Sequence, residues 1–260
     1  MSSLVARRVL VTRAAGQADE LLSALRVVGL EPVPVATIAI EFDLDREGVH
    51  DAIGRLPTYA WIVITSPNGA RAILRGAHDI STELGGPSWA AIGPTTRDVL
   101  ARAGIAVRFQ PSRSSGRAMA AELPVQSGER VLVVRGDLAD GRLALALRAR
   151  GAAVDDVVGY RTREAPEESR ALLQRAFAAG PIDAVVLTSG STARGLLELE
   201  GSAGASIDVR AIPCLCIGPE TATEARAAGF RILAVAPAPD SASLAAATAR
   251  FLASQQREIP

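Results

Sequence analysis

Apolar residues come in short runs along this chain, and each run leads through a small polar turn into a stretch of helical periodicity. The runs are Val9–Val11, Trp61–Ile64, Ala90–Ile92, Val107–Phe109, Val131–Val134, Val154–Val158, Ala184–Leu187, Leu215–Ile217 and Ile232–Val235. Most are continuous rather than alternating, which suits strands buried on both faces of a parallel sheet. The intervening stretches are amphipathic and often stop at glycine, as at Gly29, Gly104, Gly151 and Gly229, the residue that most easily closes a helix. Strand, turn and helix in alternation predict an α/β protein with doubly wound sheets.

The pattern occurs twice. RVLVTRAAGQADELLSALRVVG, from Arg8, aligns without a gap on RVLVVRGDLADGRLALALRARG, from Arg130, at an offset of 122. VITSPNGARAIL then matches VLTSGSTARGLL, with Thr65 on Thr188 at an offset of 123, and Gly93 falls on Gly218 in IGPTT and IGPET at 125. The segment around Pro111 and Ser115 echoes that around Pro237 and Ser241. Blocks recurring in order at nearly constant spacing mark a duplication, each copy the size of a domain. The boundary has two readings. Tandem halves would meet near Gln126–Gly128. Alternatively, the strand–helix–strand from Val9 to Val35 completes the sheet of the last third, and the middle of the chain forms the other lobe. The extended segments VATIAIEFDLD and VVGYRTREAPEE would then be the crossings.

Composition narrows the chemistry. All 28 basic residues are arginine, so Schiff-base chemistry, a pyridoxal phosphate anchor and the P-loop lysine are excluded. Acidic and basic residues balance, leaving no global field for nucleic acid or a membrane surface. The two cysteines, Cys214 and Cys216, point to one face of a strand and form no disulfide framework, which fits a reducing cytoplasm. His50 and His78 lack partners at metal-ligand spacing, so no metal is expected. The apolar run in MSSLVARRVLV is too short for a signal peptide, and no segment approaches membrane-spanning length.

The polar residues that recur sit where the strands end. Thr12-Arg13, Thr65-Ser66-Pro67-Asn68, Gly93-Pro94-Thr95-Thr96 and Arg135-Gly136 do so, as do Thr188-Ser189-Gly190-Ser191-Thr192 and Gly218-Pro219-Glu220-Thr221. The C-terminal edge of an open α/β sheet is where ligands bind. Each loop also opens a helix, whose free N–H groups and positive dipole end favour carboxylates and phosphates. Singly, such residues are ordinary helix caps. Several per half along one edge make an anion-binding cleft the better account, with Arg13 and Arg135 as guanidinium forks for carboxylates. No G-x-G-x-x-G follows a strand, no G-x-S-x-G elbow occurs, and no pair of catalytic carboxylates appears. An enzyme built this way must work mainly by binding and positioning.

The ordered set VLVTR, ITSPNGA, LTSGSTA, IGPTT, IGPET, VGYRT and FRILAVAPAPDSASLAAA resembles the uroporphyrinogen-III synthase family over almost the whole chain. The resemblance implies two flavodoxin-like lobes of five parallel strands each, joined by a two-stranded linker. One lobe would comprise residues 1–36 and 165–260, the other 37–164 with the linker strands, and the substrate would bind between them as the lobes close. It implies cyclisation of hydroxymethylbilane, a linear tetrapyrrole, with inversion of ring D and loss of water in haem biosynthesis, without cofactor or metal. The departing hydroxyl would leave an electrophilic azafulvene, which the substituted carbon of ring D attacks to give a spiro intermediate. Tyr160 in VGYRT is then the expected catalytic donor. The substrate-binding set is Arg13, Thr65, Ser66, Asn68, Gly93, Thr95, Thr96, Arg135, Gly136, Thr188, Ser189, Ser191, Thr192, Gly218 and Thr221. The protein is expected to be a cytoplasmic monomer that binds neither nucleic acid nor membrane and receives its substrate from hydroxymethylbilane synthase. The alternative is a two-lobed module that captures a small anion without turnover.

Overall fold

The computed structural model describes residues 6–42, 46–202 and 208–256. The extreme N-terminus and Asp43–Asp45 of the first crossing segment lie outside that set. The chain runs β1 (Arg8–Val11), α1 (Asp19–Val27), β2 (Glu31–Pro34), β3 (Ile38–Glu41), α2 (Arg46–Gly54), β4 (Trp61–Ile64) and α3 (Pro67–Asp79). It continues through β5 (Ser88–Ala91), α4 (Pro94–Arg102), β6 (Val107–Phe109), α5 (Gly116–Glu122), β7 (Arg130–Gly136), α6 (Arg142–Ala149) and β8 (Ala153–Glu164). The last third holds α7 (Glu168–Ala178), β9 (Ala184–Leu187), α8 (Gly190–Ser202), β10 (Cys214–Cys216), α9 (Pro219–Ala227), β11 (Ile232–Val235) and α10 (Ser241–Gln256). Among the described residues, no helix is long and apolar enough to cross a membrane.

Residues 1–39 and 163–260 form one compact unit, here lobe 1, and residues 40–162 form lobe 2. The lobe 1 sheet has the order β11-β10-β9-β1-β2, and its pairings are parallel. The lobe 2 sheet runs β3-β8-β7-β4-β5-β6. The duplicated blocks therefore exchange their first strands. Val9 of β1 lies opposite Ala184 of β9, and Val131 of β7 lies opposite Trp61 of β4. Within each lobe the five parallel strands follow one flavodoxin-like order. The five-strand order of lobe 2 is β8-β7-β4-β5-β6. The crossing strand β3 lies beside β8, the other crossing segment, and brings the sheet to six strands.

Both faces of each sheet are buried, as continuous apolar runs require. In β1, Leu10 packs into one core with Val185 and Leu187, while Val9 and Val11 pack into the opposite core with Leu21, Leu25 and Leu244. In lobe 2, Ile62, Ile64, Leu132 and Val134 face one core, and Val63, Val131 and Val133 face the other. Gly29 and Gly104, both at φ +80°, end α1 and α4 in the left-handed conformation that a side chain would strain.

The start of the lobe 2 sheet carries a half-buried polar cluster. The Tyr59 hydroxyl donates to the Asp155 carboxylate at 2.6 Å, and Arg130 donates to the same carboxylate at 2.8 Å while lying 5.3 Å from the Tyr59 ring centre. Burial, then the Asp155 bond, push the Tyr59 phenol up to about 12. An unfolded chain releases this proton near pH 10, so the contribution is complete below that pH and is lost as the pH rises toward 12. Tyr59→Phe should therefore make the alkaline loss of stability shallower in urea melts taken from pH 9 to 12. It should not abolish that loss, because burial also pushes the Cys214 and Cys216 thiols up, to about 12 and about 11. An unchanged slope would show that the Tyr59–Asp155 bond contributes nothing.

Candidate active site

Several of the loops that follow the strands fold as helix caps, and in lobe 2 the cap after β4 and the end of β7 meet at a tyrosine. Ser66 is the N-cap of α3, in extended conformation, with its Oγ accepting from the Gly69 N–H at 3.0 Å. The same Oγ donates to the Tyr160 hydroxyl at 3.0 Å. Tyr160 reaches that position because β8 bulges. Arg135 is registered with Val158, but the next residue, Gly136, is registered with Tyr160. An extra residue in one strand re-aims the side chains beyond it. The skipped residue is Gly159, where a Cβ would stand 2.9 Å from Val134 and 3.0 Å from Ala72.

The tyrosine ring lies over Gly136. A Cβ at that position would come within 2.6 Å of Tyr160 Cζ, so no other residue fits while the ring stays. Phe42 tilts onto the ring at 6.4 Å between centroids, and the Arg75 guanidinium lies 5.0 Å from the Phe42 centroid. Asp137 ties the two strand ends together: its N–H donates to the Tyr160 carbonyl at 3.1 Å, and its carboxylate accepts from the Thr162 N–H at 3.0 Å. Burial raises the Tyr160 phenol above its ordinary value, the Ser66 bond pulls it back, and the Asp137 charge pushes it up again. The hydroxyl therefore stays protonated at neutral pH.

The other lobe 2 candidates have varied surroundings. Thr65 donates to the Val134 carbonyl at 3.0 Å, and the Asn68 Oδ1 accepts from Arg71 at 2.9 Å. Gly93 caps α4, with Thr95 exposed and Thr96 buried in the first turn. Ser114 approaches this turn so closely that a Cβ on Gly93 would sit 2.7 Å from its Oγ. Arg135 departs from its expected role as a fork for substrate. Its Nε meets Asp156 at 2.8 and 3.1 Å, and its Nη1 donates to the Ala139 carbonyl at 2.9 Å. It braces the loop after β7.

In lobe 1 the corresponding loop is satisfied from within. Thr192 is buried, donates to the Ser189 carbonyl at 2.7 Å, and accepts from the Thr188 and Ser189 N–H groups at 3.3 Å each. Ser189 and Ser191 share a hydrogen bond of 2.8 Å. A native carboxylate already faces the start of α8, since a Cβ on Gly190 would collide with Glu224, which pairs with Arg194 at 3.0 Å. Gly218 caps α9, with Thr221 buried in its first turn, and Arg13 is half-buried beyond β1.

Sequence reasoning missed Phe42, Asp137, Ser114 and Glu224. Each acts on a partner well separated along the chain. A cleft of about 730 Å³ lined by Leu74, His78, Trp89, Ile105 and Arg108 opens at the opposite, N-terminal edge of the lobe 2 strands and contains none of these residues. Among the described residues, no group of three or more His, Cys, Asp or Glu is placed to hold a metal ion.

Comparison with known proteins places the chain in a family. Residues 19–246 match the family model described as Uroporphyrinogen-III synthase HemD. The Porphyrin biosynthesis protein HemD of Ruminiclostridium josui is 25% identical over 233 residues, covering 88% of this chain, and the chain spans only 45% of that longer protein. The uroporphyrinogen-III synthase of Synechococcus elongatus is 25% identical over 229 residues, covering 84% of this chain and 85% of the relative. Two solved structures share the fold. The uroporphyrinogen III synthase of Thermus thermophilus has a TM-score of 0.66 at 18% identity, covering 96% of this chain and 100% of the other. The Helicobacter pylori enzyme has a TM-score of 0.56 at 15% identity, covering 94% and 99%. With the duplicated lobes, the VGYRT tyrosine and a family model that spans most of its length, the chain belongs to the uroporphyrinogen-III synthase family, enzymes of tetrapyrrole biosynthesis that cyclise hydroxymethylbilane.

Proposed function

We propose that this chain closes hydroxymethylbilane to uroporphyrinogen III and that Tyr160 assists the first step by giving a proton to the departing hydroxyl. The observation that carries the reading is the Tyr160 hydroxyl, held 3.0 Å from the capping oxygen of α3 and kept protonated by burial. The C–O bond of the ring A hydroxymethyl group breaks, and the tyrosine proton leaves with the oxygen as water. The pyrrole N–H then releases a proton, which returns by way of solvent to the tyrosinate, and leaves the azafulvene that ring D attacks. A phenol with a raised pKa is a weak acid, so its help is modest. The larger task is orientation, because the unassisted reaction gives the uninverted type I isomer.

The substrate's carboxylates need partners that do not depend on lysine. The starts of α3, α4, α8 and α9 offer N–H groups, with hydroxyl or amide side chains at Asn68, Thr95, Thr96, Ser189, Ser191 and Thr221. Each such helix end favours a negative charge by about 0.3–1 kcal/mol. Arg13 adds a formal positive charge beyond β1 in lobe 1. The chain works on this reading as a cytoplasmic monomer that takes its substrate from hydroxymethylbilane synthase. Each lobe has buried cores on both faces of its own sheet, which supports a single copy sufficing.

Tyr160→Phe tests the donor. Turnover of freshly generated hydroxymethylbilane should fall by about tenfold or less, with type III still the main product. Complete loss of activity in a variant with an unchanged melting curve would contradict catalysis dominated by positioning. Full activity would remove Tyr160 from the mechanism.

A further inference from the structure

We infer that Ser66 is a positioning residue for Tyr160: by donating to the phenol oxygen it turns the tyrosine proton toward the reacting group, and it acts through Tyr160 rather than on the substrate. This deepens the donor reading and rests on it.

The argument begins with what a serine hydroxyl can do. It has one proton and two lone pairs. One lone pair is committed to the Gly69 N–H, because Ser66 caps α3. The proton goes to the Tyr160 oxygen. A phenol oxygen that accepts from one side must send its own proton elsewhere, so the Ser66 bond selects among the rotamers of the Tyr160 O–H. The α3 N-terminus reinforces the effect, since its dipole and the Gly69 bond draw electron density from Ser66 and strengthen its donation. Gly69 holds this turn against the strand: a Cβ there would stand 3.2 Å from the Val134 carbonyl and 3.4 Å from the Ser66 Oγ.

The duplication supplies an internal comparison. Ser189 occupies the Ser66 position in lobe 1 at the offset of 123 seen between the loops. There the serine oxygen meets its neighbour Ser191 at 2.8 Å and accepts from the Thr192 N–H at 3.3 Å. An offset of 122 places Ala14 where lobe 2 has Gly136, and Ile38 where it has Tyr160. The same serine is thus present in both lobes, but only in lobe 2 do the glycine and the tyrosine beside it give its proton a distant acceptor. Helix capping explains Ser189 fully and Ser66 only in part.

A double-mutant cycle in the full chain decides the matter. Ser66→Ala should lower kcat about three- to tenfold, the loss expected of one hydrogen bond, with little change in KM. On the Tyr160→Phe background the same change should have no further effect on kcat. Equal losses on both backgrounds, or a loss expressed in KM, would overturn the inference and make Ser66 a substrate ligand. Ser66→Asp separates capping from donation, because aspartate caps a helix as well as serine but brings no proton. It should share the kcat defect of the alanine variant while melting like the parent. Recovery of kcat by Ser66→Asp would mean that the cap alone mattered.

A titration keeps this failure distinct from failure of the donor reading. The chain has two tyrosines, so on a Tyr59→Phe background phenolate absorbance reports Tyr160 alone. Ser66→Ala should move its midpoint upward, and an unmoved midpoint would overturn the inference. Full turnover by Tyr160→Phe would instead defeat the donor reading, with the titration still deciding whether Ser66 bonds the phenol.

Discussion

Gly136→Ala should lower turnover by about a hundredfold, more than removing the Tyr160 hydroxyl itself. The added methyl would lie 2.6 Å from Tyr160 Cζ and 2.7 Å from its oxygen, closer than a Cβ approaches any heavy atom. The ring cannot simply slide away, because Phe42 lies on it and the β8 bulge sets its direction. It must tilt, which breaks the Ser66 bond and moves the hydroxyl from its seat. Displacing a reacting group by about 1 Å can cost about 10²-fold. Tyr160→Phe, by contrast, keeps the ring in place and loses only the proton. The double variant Gly136→Ala with Tyr160→Ala should fold as well as Tyr160→Ala alone, because the clash is then gone. Parent-like steady-state kinetics for Gly136→Ala would show that Tyr160 does not act from this seat.

The second large effect concerns stability. Gly195 lies in the second turn of α8, where an alanine would favour the helix by about 1 kcal/mol. A methyl there would run into the Thr37 carbonyl oxygen, a backbone atom, and approach the Ala165 N–H at 3.2 Å. Those two groups are bonded to each other at 2.9 Å, and the Thr37 hydroxyl donates to the Thr192 carbonyl at 2.8 Å. Arg194 meanwhile holds Glu164, the last residue of β8, at 2.8 Å. The start of α8 therefore pins both segments at which the chain leaves lobe 1, and Ala165 sits at φ +49°, a strained value for an alanine. Gly195→Ala should destabilise the protein by about 3 kcal/mol or more after its helix gain is offset. That corresponds to a fall in Tm of roughly 6–12 °C in a chain of this size. A Tm within about 2 °C of the parent would mean that the two crossings are not held this way.

The strands were legible because burial on both faces leaves a simple mark. Val9–Val11 and Ile62–Ile64 are apolar at every position, and each residue enters one of the two cores of its lobe. The exchange was not decidable from the residues. The duplication makes β1 and β7 nearly identical, so either could complete either sheet, and only the pairing of β1 with β9 and of β4 with β7 distinguishes them. The sixth strand of lobe 2 is one of the two crossing segments. Ile38–Glu41 is mostly half-buried and reads as a crossing, and the structure places it beside β8. At the site, the repeated loops gave away Ser66 and Gly136 as candidates but not their relation to Tyr160, which depends on a bulge that no motif records. Arg135 misled in the same way. An arginine at a strand end reads as a fork for anions, whereas Asp156 on the neighbouring strand already fills it.

One assay tests the central claim most directly. The chain is given freshly generated hydroxymethylbilane, the products are oxidised, and the uroporphyrin I and III isomers are separated by chromatography. Type III should dominate over a protein-free control, by a rate that falls with Gly136→Ala and with Tyr160→Phe in that order of severity. Type I alone, at the rate of the control and from a folded protein, would contradict the account and leave the two lobes as a binding module.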